Sequence, residues 1–414
     1  MSKYLTIEYF LSVLLVISTV SLIYPYGFPL FTTVAILYFF AFFIKERIKI
    51  QLNKGVILYY LLIVLYFLGI LLSINGLTPY NVSDMENFII IFILLLMMGN
   101  NSEITLQVVR KKYLDLCAYI IPIFAIYSLY KYSLLLKGIK IERFILEGRP
   151  YPWGTSLMPD YNMFALGLSI GLIATVYKIT NEKLVLLRIL HILSSAIIIF
   201  AIIFSGSRRG WIVLVLLAIY ILISIIKMFR TYSLGKKISL IIALLISILV
   251  TFILTNSFSI EITDSHELEK LTYRFSTLNN LEGGFSSRED RWNYGFEIIK
   301  DYNIFNYLIG DGFNYIGLYG ERYNTISGQD YPHNIFLSTF FYSGFIGLTL
   351  LLLLIILPYI RYFNNKSNMT SELIMIYSIC LLFLTISGNS FFSINILWLI
   401  TMILTTSKMG KSVF

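Results

Sequence analysis

The chain has 414 residues, of which 57% are hydrophobic and only 13% are charged. An average soluble domain has roughly 25% charged residues, so the soluble globular, disordered and collagen-like classes are excluded. Most of the formal net charge of +9 sits in short loops between apolar segments, so it indicates membrane topology and not a nucleic-acid partner.

Apolar segments recur along almost the whole chain, which predicts an all-α, polytopic integral membrane protein with about 12 transmembrane helices. The predicted spans cover approximately residues 6–24, 28–44, 55–74, 86–99, 113–136, 159–177, 186–204, 210–227, 238–257, 334–357, 372–388 and 392–407. We expect residues 1–414 to form a single transmembrane domain. Residues 258–332 are predicted to be a long extracytoplasmic loop that contains short helices and is inserted between spans nine and ten.

The loops alternate in charge. Lysine and arginine concentrate in one set, such as the loop around residues 110–112, whereas loops 25–27, 75–85 and 389–391 contain none. The positive-inside rule therefore predicts a multi-pass protein of the cytoplasmic membrane with both termini in the cytoplasm. The first apolar run lacks a small-residue cleavage site, so it is predicted to be a span and not a removed signal peptide.

Polar residues at the outer ends of spans are the candidates for function. Pro159-Asp160-Tyr161-Asn162 opens predicted span six. Asp160 in a first helical turn suits the positive end of the helix dipole. The alternative is a site carboxylate that orients an arginine or a sugar hydroxyl.

Two arginines, Arg208 and Arg209, lie in the predicted outer turn Ser205-Gly206-Ser207-Arg208-Arg209-Gly210-Trp211 and break the charge asymmetry. In one interpretation they extend to lipid phosphates, with Trp211 as an interface anchor. In the other they clamp a phosphate or diphosphate, because a guanidinium presents a fork of donors to phosphate oxygens.

The long loop is acidic overall, so its arginines do not make a basic surface. A helix is predicted over residues 287–300, with a serine at its N-cap. It would place Arg288, Arg291 and Trp292 on one face. The alternative is an exposed amphipathic helix whose arginines pair with the neighbouring acidic residues.

The long loop re-enters the membrane at Pro332-His333-Asn334. The other two histidines are less informative, because His191 lies in mid-span and His266 in a polar loop. A helix N-terminus disfavours the imidazolium, so a neutral His333 could accept a proton. The alternative is a capping or interface histidine.

Several kinds of chemistry lack a sequence signature. The chain has no P-loop, no dinucleotide fingerprint, no Ser-His-Asp signature and no ligand cluster with metal spacing. Cys117 and Cys380 both fall inside predicted spans, so neither a disulfide framework nor a thiolate zinc site is expected. We therefore expect no cofactor and no metal site.

Together the four motifs resemble those of the O-antigen ligase and O-antigen polymerase superfamily of bacterial membrane glycosyltransferases. The resemblance covers roughly residues 150–350, and a tyrosine, Tyr161, stands where the family has a proline. The matching elements are Asp160-Tyr161-Asn162-Met163-Phe164-Ala165, Ser205-Gly206-Ser207-Arg208, Arg288-x-x-x-Trp292 with Leu308-Ile309-Gly310-Asp311-Gly312-Phe313, and His333-Asn334 with Gly344-x-x-Gly347.

The resemblance implies a metal-independent, configuration-inverting transfer from an undecaprenyl-diphosphate-linked glycan donor to an acceptor in the bacterial cytoplasmic membrane. Arg208 and Arg288 would hold the diphosphate, where their charge would stabilise the departing group. His333 would bind or deprotonate the acceptor hydroxyl. The resemblance also implies a flippase and a chain-length regulator as further partners. The implied substrate-binding residues are Arg291, Asp160, Asn162, Trp292, Asn334 and Arg209.

The specific function stays open between alternatives. We favour a polymerase of O-antigen or capsular repeat units, because repeat-unit polymerases are the more divergent members and the first third of this chain matches only in hydropathy. The second alternative is an O-antigen ligase that transfers finished glycan to lipid A core or another acceptor. A lipid-linked glycan transporter (flippase) and a non-catalytic membrane partner are the further alternatives.

Overall fold

A computed structural model describes residues 7–24, 27–45, 103–145, 148, 150–231, 282–312, 315–323, 331–363 and 370–387. All regular structure in these ranges is helical, which confirms the all-α prediction for this part of the chain. A short 3-10 helix covers Glu142–Phe144. The α-helices are α1 (Ile7–Val20), α2 (Gly27–Lys45), α3 (Glu103–Leu136), α4 (Tyr161–Asn181), α5 (Val185–Ile203), α6 (Arg208–Thr231), α7 (Glu282–Lys300), α8 (Ile304–Ile309), α9 (Tyr315–Tyr323), α10 (Ile335–Phe363) and α11 (Ser371–Ser387).

Within the described ranges, four helices contain a segment long and apolar enough to cross a bilayer: Gln107–Leu136, Tyr161–Asn181, Val185–Ile203 and Ile335–Ile360. Three shorter apolar segments lie at Glu8–Val20, Leu30–Ala41 and Ser371–Thr385. The protein is therefore a multi-pass membrane protein. Its orientation and the total of about 12 spans stay predictions. Predicted spans 55–74, 86–99, 238–257 and 392–407 lie outside the described residues.

Helix α3 is longer than the predicted span over residues 113–136. It begins at Glu103, so the basic run at residues 110–112 belongs to the helix and not to a loop. Lysine and arginine have high helix propensity, so a basic run continues a helix beyond its apolar part.

The chain divides into two compact units, residues 1–33 with 109–280 and residues 34–108 with 281–414. Each unit is described by itself below. The single-domain organisation of residues 1–414 and the insertion of residues 258–332 as one loop stay predictions.

Helix α4 is the centre of the first unit. Residues 163–176 are all buried, as expected for a helix that is apolar on every face. It packs against α1, α5 and α6. Glycines permit two of its closest contacts, since a Cβ on Gly167 would lie 2.4 Å from Ile23 Cγ1 and one on Gly171 would lie 2.3 Å from Ile121 Cγ2.

Hydrogen bonds and an ion pair also join the helices of the first unit. The hydroxyls of Thr19 and Tyr113 are 2.8 Å apart, and the Lys178 ammonium lies 2.7 Å from the Asp115 carboxylate. The ring of His191 packs against Tyr119 with 5.1 Å between centroids, so this mid-span histidine packs inside the unit. His266 lies outside the described residues.

In the second unit, α10 is broken near its start. The predicted span over residues 334–357 agrees with the candidate span Ile335–Ile360, but Ser343 (φ −142°, ψ 15°) and Gly344 (φ 60°, ψ −160°) have non-helical dihedrals, a break that hydropathy did not indicate. The loop after α8 fits into the break. A Cβ on Gly310 would lie 2.6 Å from Ser343 N, and one on Gly344 would lie 2.3 Å from the carbonyl carbon of Leu308.

Asp311 fastens this loop to α10. Its backbone N–H donates to the Phe341 carbonyl at 2.7 Å, and its carboxylate accepts hydrogen bonds from the Tyr302 hydroxyl and from Asn306 Nδ2. Burial raises the pKa of the Asp311 carboxyl above its usual range, although the two side-chain hydrogen bonds act in the opposite direction. Asp311 thus joins Tyr302 and Asn306 through its carboxylate and joins α10 through its backbone N–H.

Helix α7 ends at Lys300 as predicted but begins at Glu282, five residues before the predicted start. The predicted serine N-cap is therefore wrong, because Ser286 and Ser287 lie inside the helix. A serine costs less than about 0.7 kcal/mol in a helix interior relative to alanine, which is too little to end a helix. Short helices α8 and α9 follow within residues 258–332, in agreement with the predicted short helices of that segment.

Candidate functional site

Asp160 is the N-cap of α4. Its Oδ1 accepts hydrogen bonds from the backbone N–H groups of Asn162 at 2.9 Å and Met163 at 3.3 Å. The structure thus supports the capping interpretation of this carboxylate, because it satisfies two N–H groups that have no partner within the helix. Its role in substrate binding stays a prediction.

The turn between α5 and α6 is shaped by Gly206 and Ser207. Gly206 has φ +67°, and a Cβ there would lie 1.8 Å from Cζ3 of Trp153, so both the conformation and the contact require glycine. Ser207 is the N-cap of α6, because its Oγ accepts from Gly210 N–H at 3.1 Å. The serine and glycine of this motif therefore define where α6 begins.

The first two motifs contact each other at the starts of α4 and α6. Ser207 Oγ donates to Asn162 Oδ1 at 2.9 Å. Three residues further along each helix, a Cβ on Gly210 would lie 3.0 Å from the Cβ of Ala165. Asn162 of the first motif thus binds Ser207 of the second, and Ala165 packs on Gly210. The helices α4 and α6 therefore start side by side.

Arg208 and Arg209 are the first two residues of α6 and are both half-buried. The N-terminus of a helix carries partial positive charge, which favours an anion and disfavours a cation. Two guanidinium groups at this place make a local field suited to a multiply charged anion. Trp211 is 9% exposed and donates from Nε1 to the Ile203 carbonyl at 3.1 Å, so it packs inside the unit and is not an exposed anchor.

The third motif lies on α7 in the second unit. Arg288 is in the helix, but its side chain lies outside the described residues. Arg291 is half-buried, and its backbone carbonyl accepts from the Tyr319 hydroxyl at 2.6 Å. Gly295 lets α7 approach α10, because a Cβ there would lie 2.8 Å from Leu337 Cδ2. Trp292 Nε1 is buried without a hydrogen-bond partner among the described residues.

The fourth motif lies at the start of α10. Asn334 is the cap, since its Oδ1 accepts from the N–H groups of Phe336 at 2.9 Å and Leu337 at 3.2 Å. His333 precedes it and is half-buried, and it is the one non-glycine residue with positive φ (+49°) in the described ranges. Its ring lies 4.2 Å from that of Tyr331, centroid to centroid.

Arg291 connects the third motif to the fourth. Its Nη1 donates to the Tyr331 carbonyl at 3.4 Å, two residues before His333. Arg291 and His333 thus both contact Tyr331, Arg291 at the backbone carbonyl and His333 at the ring. The geometry suits binding of a polar ligand, because both groups present donors and the imidazole can also accept a proton.

Comparison with known families identifies the part of the chain that contains three of these motifs. Residues 193–352 match the family model described as O-antigen ligase. The chain carries an O-antigen ligase family domain. This is a family of membrane proteins of polysaccharide biosynthesis, of O-antigen ligase or polymerase type. No curated protein matches the chain, and no solved structure matches it.

The O-antigen ligase family domain contains Arg208, Arg288 and His333 but not Asp160 or Asn162. The first motif, which the resemblance included, is thus outside the matched residues yet binds the second motif directly. Motifs one and two meet within the first unit, and motifs three and four meet within the second. A single pocket that holds Arg208, Arg288 and His333 stays a prediction.

Two groups beside the O-antigen ligase motifs were missed from the sequence. Tyr331 and Tyr319 both bind Arg291, but the chain has 31 tyrosines and nothing in their spacing singles out these two. Lys131 lies within a predicted span and binds a loop that packs against the turn before Arg208. A lone lysine in an apolar segment is a signal that could have found it.

The positive φ of His333 predicts the effect of two substitutions on stability. A residue with a Cβ in the left-handed region is disfavoured by roughly 1–2 kcal/mol, a penalty that glycine avoids. We expect His333→Gly to be more stable than His333→Ala by about 1 kcal/mol. Thermal unfolding of the two purified variants measures the difference. An alanine variant that unfolds at the higher temperature would show that His333 does not hold this backbone conformation.

Proposed function

We propose that the protein is a membrane glycosyltransferase that polymerises undecaprenyl-diphosphate-linked repeat units on the outer face of the bacterial cytoplasmic membrane. The observation that carries the proposal is the contact between the first two motifs. It fixes Arg208 in the first turn of α6, within an O-antigen ligase family domain. That place suits the diphosphate of a lipid-linked glycan, because the helix terminus and the guanidinium both attract the same dianion.

The chemistry that these residues can supply is an inverting displacement. The acceptor hydroxyl forms a bond to the anomeric carbon of the donor sugar while the bond from that carbon to the diphosphate oxygen breaks. The diphosphate leaves with the electron pair, and Arg208 and Arg288 neutralise its growing charge. The His333 imidazole takes the proton of the acceptor hydroxyl.

The predicted substrate-binding residues would support the same reaction. Arg291 and Trp292, on the same helix as Arg288, would bind the donor or acceptor next to His333. Asn334 would fix His333 through its cap, and Asn162 would fix Arg208 through Ser207. Arg209 would add a second cation beside the diphosphate, and Asp160 would orient a sugar hydroxyl or an arginine.

Complementation of a null strain tests the proposal. We expect Arg208→Ala, Arg288→Ala and His333→Gly to abolish high-molecular-weight glycan, because each removes a charge or proton acceptor while the protein still inserts in the membrane. Arg143→Ala is a matched control, since this arginine is exposed outside the motifs. The measurement is the glycan ladder on a gel, together with the amount of tagged protein in membranes. Normal glycan from all three variants would refute the assignment.

An O-antigen ligase is the second candidate, favoured by the description of the matching family. Purified protein with a defined lipid-linked repeat unit separates the two functions. A polymerase lengthens the lipid-linked glycan when no other acceptor is present, whereas a ligase requires lipid A core or another acceptor. A protein that transfers no sugar under either condition would point to the flippase or scaffold alternatives.

A further inference from the structure

Lys131 is a fully buried cation in α3, with 0% of its surface exposed. Its ammonium donates hydrogen bonds to three backbone carbonyls: those of Pro152, Gly154 at 3.0 Å and Ser156 at 2.8 Å. A lysine ammonium has three donors, so these carbonyls match its full capacity. The residues that it binds, 152–156, are termed the carbonyl loop below.

Aromatic rings complete the surroundings of Lys131. Its Nζ lies 5.0 Å from the ring centroid of Tyr151 and 5.7 Å from that of Phe144. A buried ammonium is disfavoured unless its donors and its charge are both satisfied. The three carbonyls accept the hydrogen bonds of the Lys131 ammonium, and the two rings interact with its charge. The ammonium therefore needs the carbonyl loop in place, and the loop needs the ammonium as its donor.

The carbonyl loop in turn binds the end of α5. Thr155 N–H donates to the Phe204 carbonyl at 3.2 Å, and Thr155 Oγ1 donates to the Ala201 carbonyl at 2.5 Å. Gly154 has φ +55°, and a Cβ there would lie 2.3 Å from the Phe204 oxygen. The loop is therefore seated on the last turn of α5 by its backbone, at the point where the turn to α6 begins.

The carbonyl loop also covers the turn itself. Trp153 packs so closely on Gly206 that a Cβ at that glycine would lie 1.8 Å from the indole ring. The next residue, Ser207, is the N-cap that starts α6 at Arg208. Contacts thus run without a gap from the ammonium of Lys131 to the residue that precedes Arg208.

We propose that Lys131 is a positioning residue that orders the carbonyl loop and, through it, the turn that presents Arg208. The role assigned to Arg208 rests on the proposed function, whereas the ordering of the loop by Lys131 does not. Removal of the charge leaves three buried carbonyls without their donor, so the loop loses its anchor on α3. Trp153 and Thr155 then no longer hold the turn between α5 and α6, and the Arg208 guanidinium is displaced from the diphosphate of the donor.

The experiment compares Lys131→Met, Lys131→Arg and the control Lys137→Met in full-length purified protein. Lys137 is exposed and lies just before the segment that leads to the carbonyl loop, so its substitution removes the same charge outside the site. In Lys131→Met, we expect amide exchange at residues 153–157 and 204–208 to be at least about tenfold faster than in the control. Lys131→Arg keeps the charge and should restore part of the protection.

Transfer kinetics with the lipid-linked donor test the link to Arg208. We expect Lys131→Met to lower kcat by about tenfold or more, and Lys131→Met with Arg208→Ala to be no slower than Arg208→Ala alone. If Lys131→Met does not fold, Thr155→Val replaces it in the same experiment. This substitution removes the hydrogen bond from Thr155 Oγ1 to the Ala201 carbonyl, which joins the carbonyl loop to α5.

Each outcome decides one of the two claims. Native protection of the loop in Lys131→Met, or losses in the double variant that multiply those of the single variants, would overturn the positioning role. Full transfer activity in Arg208→Ala would instead overturn the proposed function, and the exchange measurement would still decide whether Lys131 orders the loop.

Discussion

Replacement of Arg208 by alanine is expected to lower kcat for glycan transfer by about 10²–10³-fold, the loss typical of one group that stabilises transition-state charge. Arg208 is the first residue of α6, beside the capping serine that Asn162 fixes. Charge on the departing diphosphate grows as the sugar is transferred, so the effect on kcat should exceed the effect on KM for the donor.

Arg208→Lys separates charge from geometry. Lysine is a point charge without the planar donor fork, so we expect it to recover only part of the lost rate. Arg143→Ala is the control, because its exposed guanidinium lies over the Tyr24 ring and away from the motifs. The measurement is single-turnover transfer from a defined lipid-linked donor by purified protein. Equal rates for wild type and Arg208→Ala would remove Arg208 from the reaction.

The second large effect is expected at Gly344, where α10 is broken. Gly344→Ala should destabilise the protein by about 2–5 kcal/mol, the sum of a left-handed alanine and an overpacked contact. The new methyl group would meet the carbonyl carbon of Leu308 at 2.3 Å and Ile309 N at 2.4 Å. These are backbone atoms, which cannot turn away as a flexible side chain would.

Gly317→Ala provides the matched control. Gly317 lies in helix α9, and a Cβ there would meet no atom within 4 Å. Alanine in a helix interior is favoured over glycine by about 0.5–1 kcal/mol, so this variant should be as stable as wild type or more stable. Thermal unfolding of both variants in one detergent makes the comparison. Similar unfolding temperatures would mean that the reciprocal contact of Gly310 and Gly344 is not needed for stability.

Much of the helical architecture of the described residues could be predicted from the sequence. Hydropathy located α4, α5 and α11 to within a few residues, because the length of an apolar run is a local property. The break in α10 was not predictable in the same way, since Ser343 and Gly344 interrupt a segment that is apolar on both sides. It arises from the loop that packs into it.

The candidate site shows the same division. The motifs marked Arg208 and His333 as polar residues at helix starts, and both lie there. Spacing could not indicate that Asn162 accepts from Ser207, that Asn334 and not His333 caps α10, or that Lys131 holds the carbonyl loop. These depend on contacts between residues far apart in the chain.

The break at Ser343 and Gly344 divides the apolar helix α10 into a part next to His333 and a longer part that follows Gly344. Residues 335–342 contact α7 and the loop after α8, and the rest of the candidate span Ile335–Ile360 follows Gly344. Helices adjust their tilt to the thickness of the surrounding lipid. Because the hydrogen-bond ladder is interrupted at Gly344, such an adjustment does not require the His333 end to tilt with it. Lipids of different chain length should therefore alter the angle of the helix after Gly344 while the geometry around the His333 imidazole is preserved.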